Sequence, residues 1–175
     1  MVYVIGGAAP PIFDIEEPLL LLQQRGWRPC LILTSTAANW IDASHFGKLA
    51  GCPVRVEPRL PGEKESLPMA DAVLAAPLTF NTTNKWAAGI NDTLALGILN
   101  ELLGENVPII ATPCVKAVLR RNPAYIRSCK LLEDCAVTFL DPERATVRKQ
   151  GHVTFDWTLV LDKFDSISGR KDLRQ

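Results

Sequence analysis

The chain has 175 residues, a length that suits one compact domain. Hydrophobic residues make up 47% of it, which supports a sizeable core and argues against disorder. The 19 Lys and Arg residues balance the 19 Asp and Glu residues, so the formal net charge is zero. Nucleic-acid and anionic-membrane partners usually require a basic excess, and the sequence therefore predicts neither kind of partner.

Six short apolar runs along the chain are typical of β-strands. They occupy residues 2–5, 29–34, 53–57, 71–76, 107–111 and 136–140. The apolar residues in these runs are continuous rather than alternating with polar ones, which indicates strands that are buried on both faces. Such strands are characteristic of a parallel sheet that is covered by helices.

Helical segments alternate with these strands. We predict helices over residues 12–25, 39–50, 82–103, 113–133 and 155–167, the fourth of them broken near Pro123. Two further segments are predicted as loops: residues 59–67, and a mobile loop over 141–152 ahead of the C-terminal helix within 153–168. Alternating strands and helices predict an α/β fold over residues 1–175, a single domain with a doubly wound parallel sheet in three α/β/α layers.

The cysteines and the N-terminal segment give expectations for the cellular location and for a zinc site. The five cysteines contain no C-x-x-C pair, and neither they nor the two histidines show the ligand spacing of a zinc site. An odd cysteine count without a signal-peptide pattern predicts reduced thiols and a cytoplasmic location. No apolar run reaches the length of about 18 residues that a membrane span needs.

Residues 76–96 form the most informative stretch of the chain. An apolar strand ends near Pro77, and a polar segment rich in hydrogen-bond donors and acceptors follows at residues 79–84. In parallel α/β sheets, a strand delivers such a segment to a crevice at the carboxyl edge of the sheet. Free N–H groups at the start of the next helix can there hold an anion or a ring carbonyl. We therefore expect a ligand site at this point.

Three further turns are expected at the same edge of the sheet. They are Gly6-Gly7-Ala8-Ala9, Thr34-Ser35-Thr36 and Thr112-Pro113-Cys114. Small side chains and uncharged donors suit a phosphate together with a planar, hydrogen-bonding ring. Simpler roles stay open, since the glycines can serve turn geometry alone and the hydroxyls can cap the following helix. Neither G-x-G-x-x-G nor G-x-x-x-x-G-K-[ST] occurs in the chain.

Two segments resemble motifs of the FMN-binding, flavin-containing cysteine decarboxylases, which include phosphopantothenoylcysteine decarboxylases and lantibiotic peptide cysteine decarboxylases. The family motif P-A-S-A-N-T, followed by x-x-K-x-A-x-G-I-x-D-x-L, corresponds to P-L-T-F-N-T at residues 77–82, with all six specified residues kept through residue 94. A second motif, P-x-M-N-x-x-M-W, aligns with residues 113–120. There the frame and a following Asn-Pro are kept, but Met, Asn, Met and Trp are not. The resemblance covers about residues 2–140.

The resemblance implies a flavodoxin-like or Rossmann-like fold, FMN as the cofactor, and a homo-oligomer, either a trimer or a dodecamer, with FMN at a subunit interface. The residues implied around the phosphate and the ribityl chain are Gly7, Ala8, Ser35 and Thr36. Those implied beside the isoalloxazine are Thr79, Phe80, Asn81, Thr82 and Cys114. Among the tryptophans, Trp40 is the best candidate for stacking on the flavin, because it follows the hydroxyl-rich turn directly.

Two residues that the family uses for cysteine decarboxylation are replaced. The family histidine ahead of the first motif falls on Glu63, and the asparagine that recognises the substrate carboxylate falls on Lys116. As candidate catalytic residues, Glu63 can act as a base if burial favours its neutral form, and Lys116 can hold a carboxylate or phosphate as a point charge. The simpler alternatives are a solvated loop for Glu63 and a helix surface for Lys116.

Three functions fit these observations. The first is an FMN-dependent enzyme that carries out flavin redox or decarboxylation chemistry on a small thiol, carboxylate or peptide substrate. The second is a non-catalytic FMN-binding partner or regulatory subunit, which the two replaced residues favour. The third is a binder of nucleotides or other phosphates without a flavin. The colour of the purified protein separates the first two functions from the third.

Overall fold

A six-stranded parallel sheet forms the centre of the computed structural model, which describes residues 1–49, 51–58, 60, 62, 67–149 and 151–169. The strands in chain order are β1 Val2–Gly6, β2 Pro29–Leu33, β3 Val54–Arg55, β4 Ala72–Leu78, β5 Ile109–Pro113 and β6 Thr138–Phe139. Across the sheet they run β3-β2-β1-β4-β5-β6, and neighbouring strands are parallel. This is the strand order of a Rossmann-like sheet, which confirms the predicted fold class.

Helices flank the sheet. In chain order they are α1 Glu16–Gln24, α2 Ser35–Ala38, α3 Ala43–Leu49, α4 Phe80–Ala87, α5 Leu94–Gly104, α6 Ala117–Arg120, α7 Pro123–Asp134, α8 Pro142–Ala145 and α9 Trp157–Ile167. A 3₁₀ helix, Pro10–Asp14, precedes α1. Within the described ranges, no helix combines the length and the apolar character that crossing a bilayer requires.

Each face of the sheet has its own hydrophobic core. Val4 of β1 points into a cluster that includes Leu19 of α1 and Phe164 of α9, while its neighbour Ile5 points into a second cluster that includes Leu99 of α5. Successive strand residues face opposite sides of a sheet, so a strand that is covered on both sides is apolar throughout. This double burial explains the continuous apolar runs.

The helix predicted over residues 82–103 is wrong, because two helices, α4 and α5, occupy this region. Gly89 ends the first with a left-handed φ of 68°, and the hydroxyl of Thr93 accepts a hydrogen bond from the N–H of Leu96 at the start of the second. Trp86 is 1% exposed whereas Ile90, just past Gly89, is 41% exposed, so the buried face of α4 does not continue through the break.

Other helices are also divided differently from the prediction. The segment 12–25 contains the end of the 3₁₀ helix and all of α1, and the segment 39–50 contains α3, with the separate short α2 just before it. Where Thr34 precedes α2, its hydroxyl accepts a hydrogen bond from the N–H of Ala37 at 3.3 Å. The predicted break near Pro123 lies between α6 and α7, where the side chain of Asn122 caps α7.

The prediction of a loop over residues 141–152 is wrong. Helix α8 begins this segment, and an antiparallel hairpin follows, with strands β7 Thr146–Lys149 and β8 His152–Phe155. The hairpin packs against the 3₁₀ helix, where His152 Nε2 lies 2.7 Å from Asp14 Oδ2. Residues 153–155 are therefore strand, and the C-terminal helix starts only at Trp157. Because most side chains of β7 are exposed, the segment lacks the apolar run that would have identified a strand.

Candidate functional site

A cleft of about 930 Å³ lies at the carboxyl edge of the sheet. Ala8 lines it from the loop after β1, Thr79 and Asn81 from the segment after β4, and Cys114 and Lys116 from the segment after β5. A further wall comes from α8 and the hairpin β7-β8. The switch point between β1 and β4 is where parallel α/β sheets bind ligands, so this cleft is the candidate functional site.

The polar segment after β4 forms the first turns of α4 rather than a separate turn. The Thr79 hydroxyl accepts a hydrogen bond from the N–H of Thr82 at 3.2 Å and lies 3.0 Å from the Thr82 hydroxyl oxygen. Thr82 is buried and outside the cleft lining, whereas Thr79, Phe80 and Asn81 line the cleft. The cleft therefore faces the N-terminal end of α4, where the first N–H groups have no partner within the helix.

Gly7 contributes close approach between two loops. Its N–H donates to the carbonyl of Pro77 at 2.9 Å. A Cβ at this position would lie 2.9 Å from Thr79 Cγ2 and 3.0 Å from the Pro77 carbonyl oxygen, which is too close for a real side chain. Gly7 thus lets the loop after β1 contact the end of β4, and its neighbour Ala8 is the residue that lines the cleft.

The hydroxyl-rich turn after β2 lies outside the lining of this cleft. Ser35 and Thr36 are exposed, and the Ser35 hydroxyl donates to a carboxylate oxygen of Glu57 at 3.0 Å. Thr34 takes the helix-capping role that the sequence left open. Contact of Ser35 and Thr36 with a phosphate stays a prediction.

Aromatic rings line two sides of the cleft. Trp40 stacks on Phe13 with ring centroids 5.8 Å apart, and both residues are about half exposed. Phe80 stacks on the buried Tyr125 with centroids 5.6 Å apart, which holds the Phe80 ring in place. These surfaces can pack against the faces of a planar ligand.

Cys114 and Lys116 lie on the side of the cleft formed by the end of β5 and the start of α6. The N–H of Cys114 donates to the Leu78 carbonyl at 2.9 Å, which ties this segment to the end of β4. Burial raises the pKa of the Cys114 thiol, so the thiol stays protonated at neutral pH. Lys116 is exposed and immediately precedes α6.

Sequence reasoning missed two charged residues of the cleft wall. Arg120, at the end of α6, donates from Nη2 to Glu143 Oε1 of α8 at 3.3 Å. Arg120 occupies the last position of the second family motif, which was the available signal. Glu143 had none, because its segment was predicted to be a loop. The predicted base Glu63 lies outside the described residues. Across the described ranges, no three His, Cys, Asp or Glu residues group as metal ligands.

Comparison with known proteins finds relatives of this chain. The coenzyme A biosynthesis bifunctional protein CoaBC of Thermococcus kodakarensis is 31% identical over 83 residues, which are 47% of this chain and 20% of that protein. The match thus spans only about a fifth of the curated relative.

Two solved structures share the fold over nearly the whole chain. The FMN-dependent cysteine decarboxylase SpaF has a TM-score of 0.75 at 13% identity and covers 97% of this chain and 95% of its own. The phenylacrylic acid decarboxylase from Aquifex aeolicus has a TM-score of 0.73 at 15% identity, with 96% of each chain covered. At such identities the likeness shows the fold alone. The model of the Flavoprotein family matches residues 15–166, and the chain therefore belongs to the flavoprotein family.

Proposed function

We propose that this protein binds FMN in the cleft and is an FMN-dependent, decarboxylase-like enzyme that acts on a small thiol, carboxylate or peptide substrate. One observation carries the proposal: a chain of the flavoprotein family has a roomy cleft at its switch point, with uncharged donors on one side and apolar walls. The solved relatives named as decarboxylases, among them the FMN-dependent SpaF, support the same kind of chemistry.

The residues of the cleft fit FMN. The cleft volume of about 930 Å³ is in the range of cofactor sites. Phe80 and Val153 provide apolar surface for the faces of the ring system. The Thr79 hydroxyl, the Asn81 amide and the first N–H groups of α4 provide hydrogen bonds for its polar edge. Ala8 leaves room because its side chain is small.

When bound, FMN would supply the redox chemistry of the reaction. The protein would bind and orient the substrate, with Lys116 as a point charge for a carboxylate. Glu63 as the base that takes a substrate proton stays a prediction, as do the cytoplasmic location and the homo-oligomeric assembly.

Asn81→Ala tests the location of the flavin. The Asn81 side chain is exposed at the cleft, so its loss should leave the fold intact and remove one hydrogen bond to the cofactor. We expect wild-type protein to be yellow and the variant to bind FMN about 10-fold more weakly by fluorescence titration. Asn91→Ala, exposed between α4 and α5, is the matched control and should bind like wild type. Colourless wild-type protein with no affinity for FMN contradicts the proposal.

A second candidate is an FMN-binding partner subunit without turnover of its own. The replacement of the motif asparagine by Lys116 and of the family histidine by Glu63 favours it. Incubation of the FMN-loaded protein with phosphopantothenoylcysteine and with a cysteine-ended peptide, with CO₂ as the readout, separates the candidates. Release of CO₂ or flavin reduction by either compound supports the enzyme. FMN binding without reaction, together with co-purification of a homologous chain that has both residues, supports the partner subunit.

A further inference from the structure

The guanidinium of Arg120 on the cleft wall has an incomplete set of hydrogen bonds. Its Nη2 donates to Glu143 Oε1 at 3.3 Å, a long distance for a charged pair. Its Nε is buried, and no residue in the described part of the chain accepts a hydrogen bond from it. A buried donor without an acceptor destabilises the protein. A ligand that supplied an acceptor to this atom would therefore bind favourably.

The geometry of a guanidinium defines that partner. The N–H of Nε and one N–H of Nη2 point in the same direction from one edge of the planar group, and a carboxylate can accept both in a bidentate pair. Glu143 accepts from Nη2 alone, and Nε has no acceptor among the described residues. A second carboxylate placed across the edge would satisfy both donors at normal distances.

The charge of the cleft also favours an anion. Its lining contains two cations, Lys116 and Arg120, against one anion, Glu143, although the chain as a whole is neutral. Leu119 and Val153 are apolar members of the same wall. Charges beside apolar surface are screened less than charges in water, so an incoming anion is attracted more strongly here than at an open surface.

Glu143 can move away from Arg120 without disturbing its helix. Its side chain is 78% exposed, whereas that of Arg120 is 26% exposed, and ion pairs with so exposed a partner contribute little. Helix α8 is held by other contacts, because the Asp141 side chain caps it and the buried Ala145 accepts a hydrogen bond from the N–H of Asp156.

We propose that Arg120 is a bidentate receptor for the carboxylate of the substrate, beside the point charge of Lys116, and that Glu143 pairs with Nη2 of Arg120 until the substrate displaces it. The proposal deepens the proposed function, on which it rests, by requiring that the substrate has a free carboxylate. The phosphate of FMN has similar anion chemistry, and the experiment therefore separates these two sources.

The test compares an acid with its uncharged amide. The probes are N-acetyl-S-methyl-L-cysteine and its carboxamide, in which the methyl group blocks thiol chemistry so that only binding is measured. Each is titrated into FMN-loaded protein with the flavin difference spectrum as the readout, and into the protein alone by calorimetry. The FMN affinity of every variant is measured separately. The variants are R120Q, R120K and E143Q, with R121Q as the matched control for an exposed neighbouring arginine.

We expect wild-type protein to bind the acid more tightly than the amide. R120Q should weaken binding of the acid about 10- to 100-fold and leave the amide unchanged, because a charged, bidentate pair is lost. R120K should give an intermediate affinity, since it keeps the charge without the fork. E143Q should tighten binding of the acid by about 3- to 10-fold, because the competing carboxylate is gone. R121Q should bind both probes like wild type.

Opposite effects of R120Q and E143Q distinguish the proposal from misfolding, which would weaken binding in both variants. Equal affinity of wild-type protein for acid and amide, or no binding of the acid, overturns the proposal. So does an R120Q variant that loses FMN affinity and keeps its preference for the acid, since Arg120 would then bind the cofactor phosphate. If wild-type protein fails to bind FMN, the proposed function fails. The calorimetric comparison still decides whether Arg120 selects the acid.

Discussion

Individual residues of the candidate site also make contacts within the protein. Gly7 permits the approach of two loops, and the Thr79 hydroxyl caps α4 while it faces the cleft. Thr82 shows the opposite outcome, because its hydroxyl turns toward Thr79 and its side chain is buried. At this scale, a polar side chain in a motif contributes to a ligand site only if the fold leaves it unpaired or turned outward.

The Cys114 thiol should react slowly with iodoacetamide at pH 7.5. Burial raises its pKa above that of a free thiol, so the reactive thiolate is scarce at neutral pH and the rate should rise as the solution is made more alkaline. Peptide mapping by mass spectrometry measures the modification, with the exposed Cys135 as the internal control that reacts faster. Added FMN should protect Cys114 and not Cys135. Equal rates at the two cysteines at pH 7.5 would contradict this account.

Several cleft residues lie where one secondary-structure element ends and the next begins. Strand β4 ends at Leu78, and Thr79 caps α4 directly afterwards, so one junction places three lining residues. The next break is just as important, because the chain leaves α4 at Gly89 and starts α5 in a new direction. Lys85 of α4 pairs with Asp92 across this break.

Gly89→Ala and Gly104→Ala should change stability in opposite directions. Both glycines have open space where a Cβ would be added, so only backbone conformation matters. Gly89 has a φ of 68°, and alanine there should cost about 1–2 kcal/mol of the free energy of unfolding. Gly104 is the last residue of α5 and does not have a left-handed φ. Alanine there should raise the free energy of unfolding by up to about 1 kcal/mol. Urea denaturation measures both, and equal effects would refute the assigned helix break.

At the scale of the whole molecule, helix α9 brings the last part of the described chain into contact with the first. Helix α9 packs against α1, where Arg25 bonds Asp162 at 2.8 Å and Asp165 at 2.7 Å, and the buried Phe164 meets Trp27 edge to face. The segment just ahead of α9 contains α8 and the hairpin, which build one wall of the cleft. The segment between β6 and α9 therefore contributes to the candidate site, while α9 itself packs against α1.

Phe164→Ala should lower the free energy of unfolding by about 3–5 kcal/mol, because a fully buried aromatic ring leaves a cavity in the core between α1 and α9. Leu159→Ala on the exposed side of the same helix is the control and should change it by about 0.5 kcal/mol or less. Thermal and urea unfolding measure both variants. A similar cost for the two would mean that α9 does not dock as described.

Local sequence patterns were enough for the sheet and for the family. Continuous apolar runs report burial on both faces of each strand, and a motif of specified residues at fixed spacing reports a family. The helix break at Gly89 was missed although local signals mark it, since Gly89 suits a helix end and Thr93 suits the start of the next helix. The hairpin over residues 146–155 was missed because most of β7 is exposed and carries no apolar pattern.

Which residues meet at the cleft depends on contacts between segments that are distant in sequence. Arg120 and Glu143 are 23 residues apart, and neither residue type nor spacing indicates that they meet. Ser35 and Thr36 are exposed and lie outside the lining of this cleft, and their contact with a phosphate stays a prediction. Burial patterns along a chain encode which face of an element is covered, whereas the pairing of charges across a cleft depends on how distant elements pack.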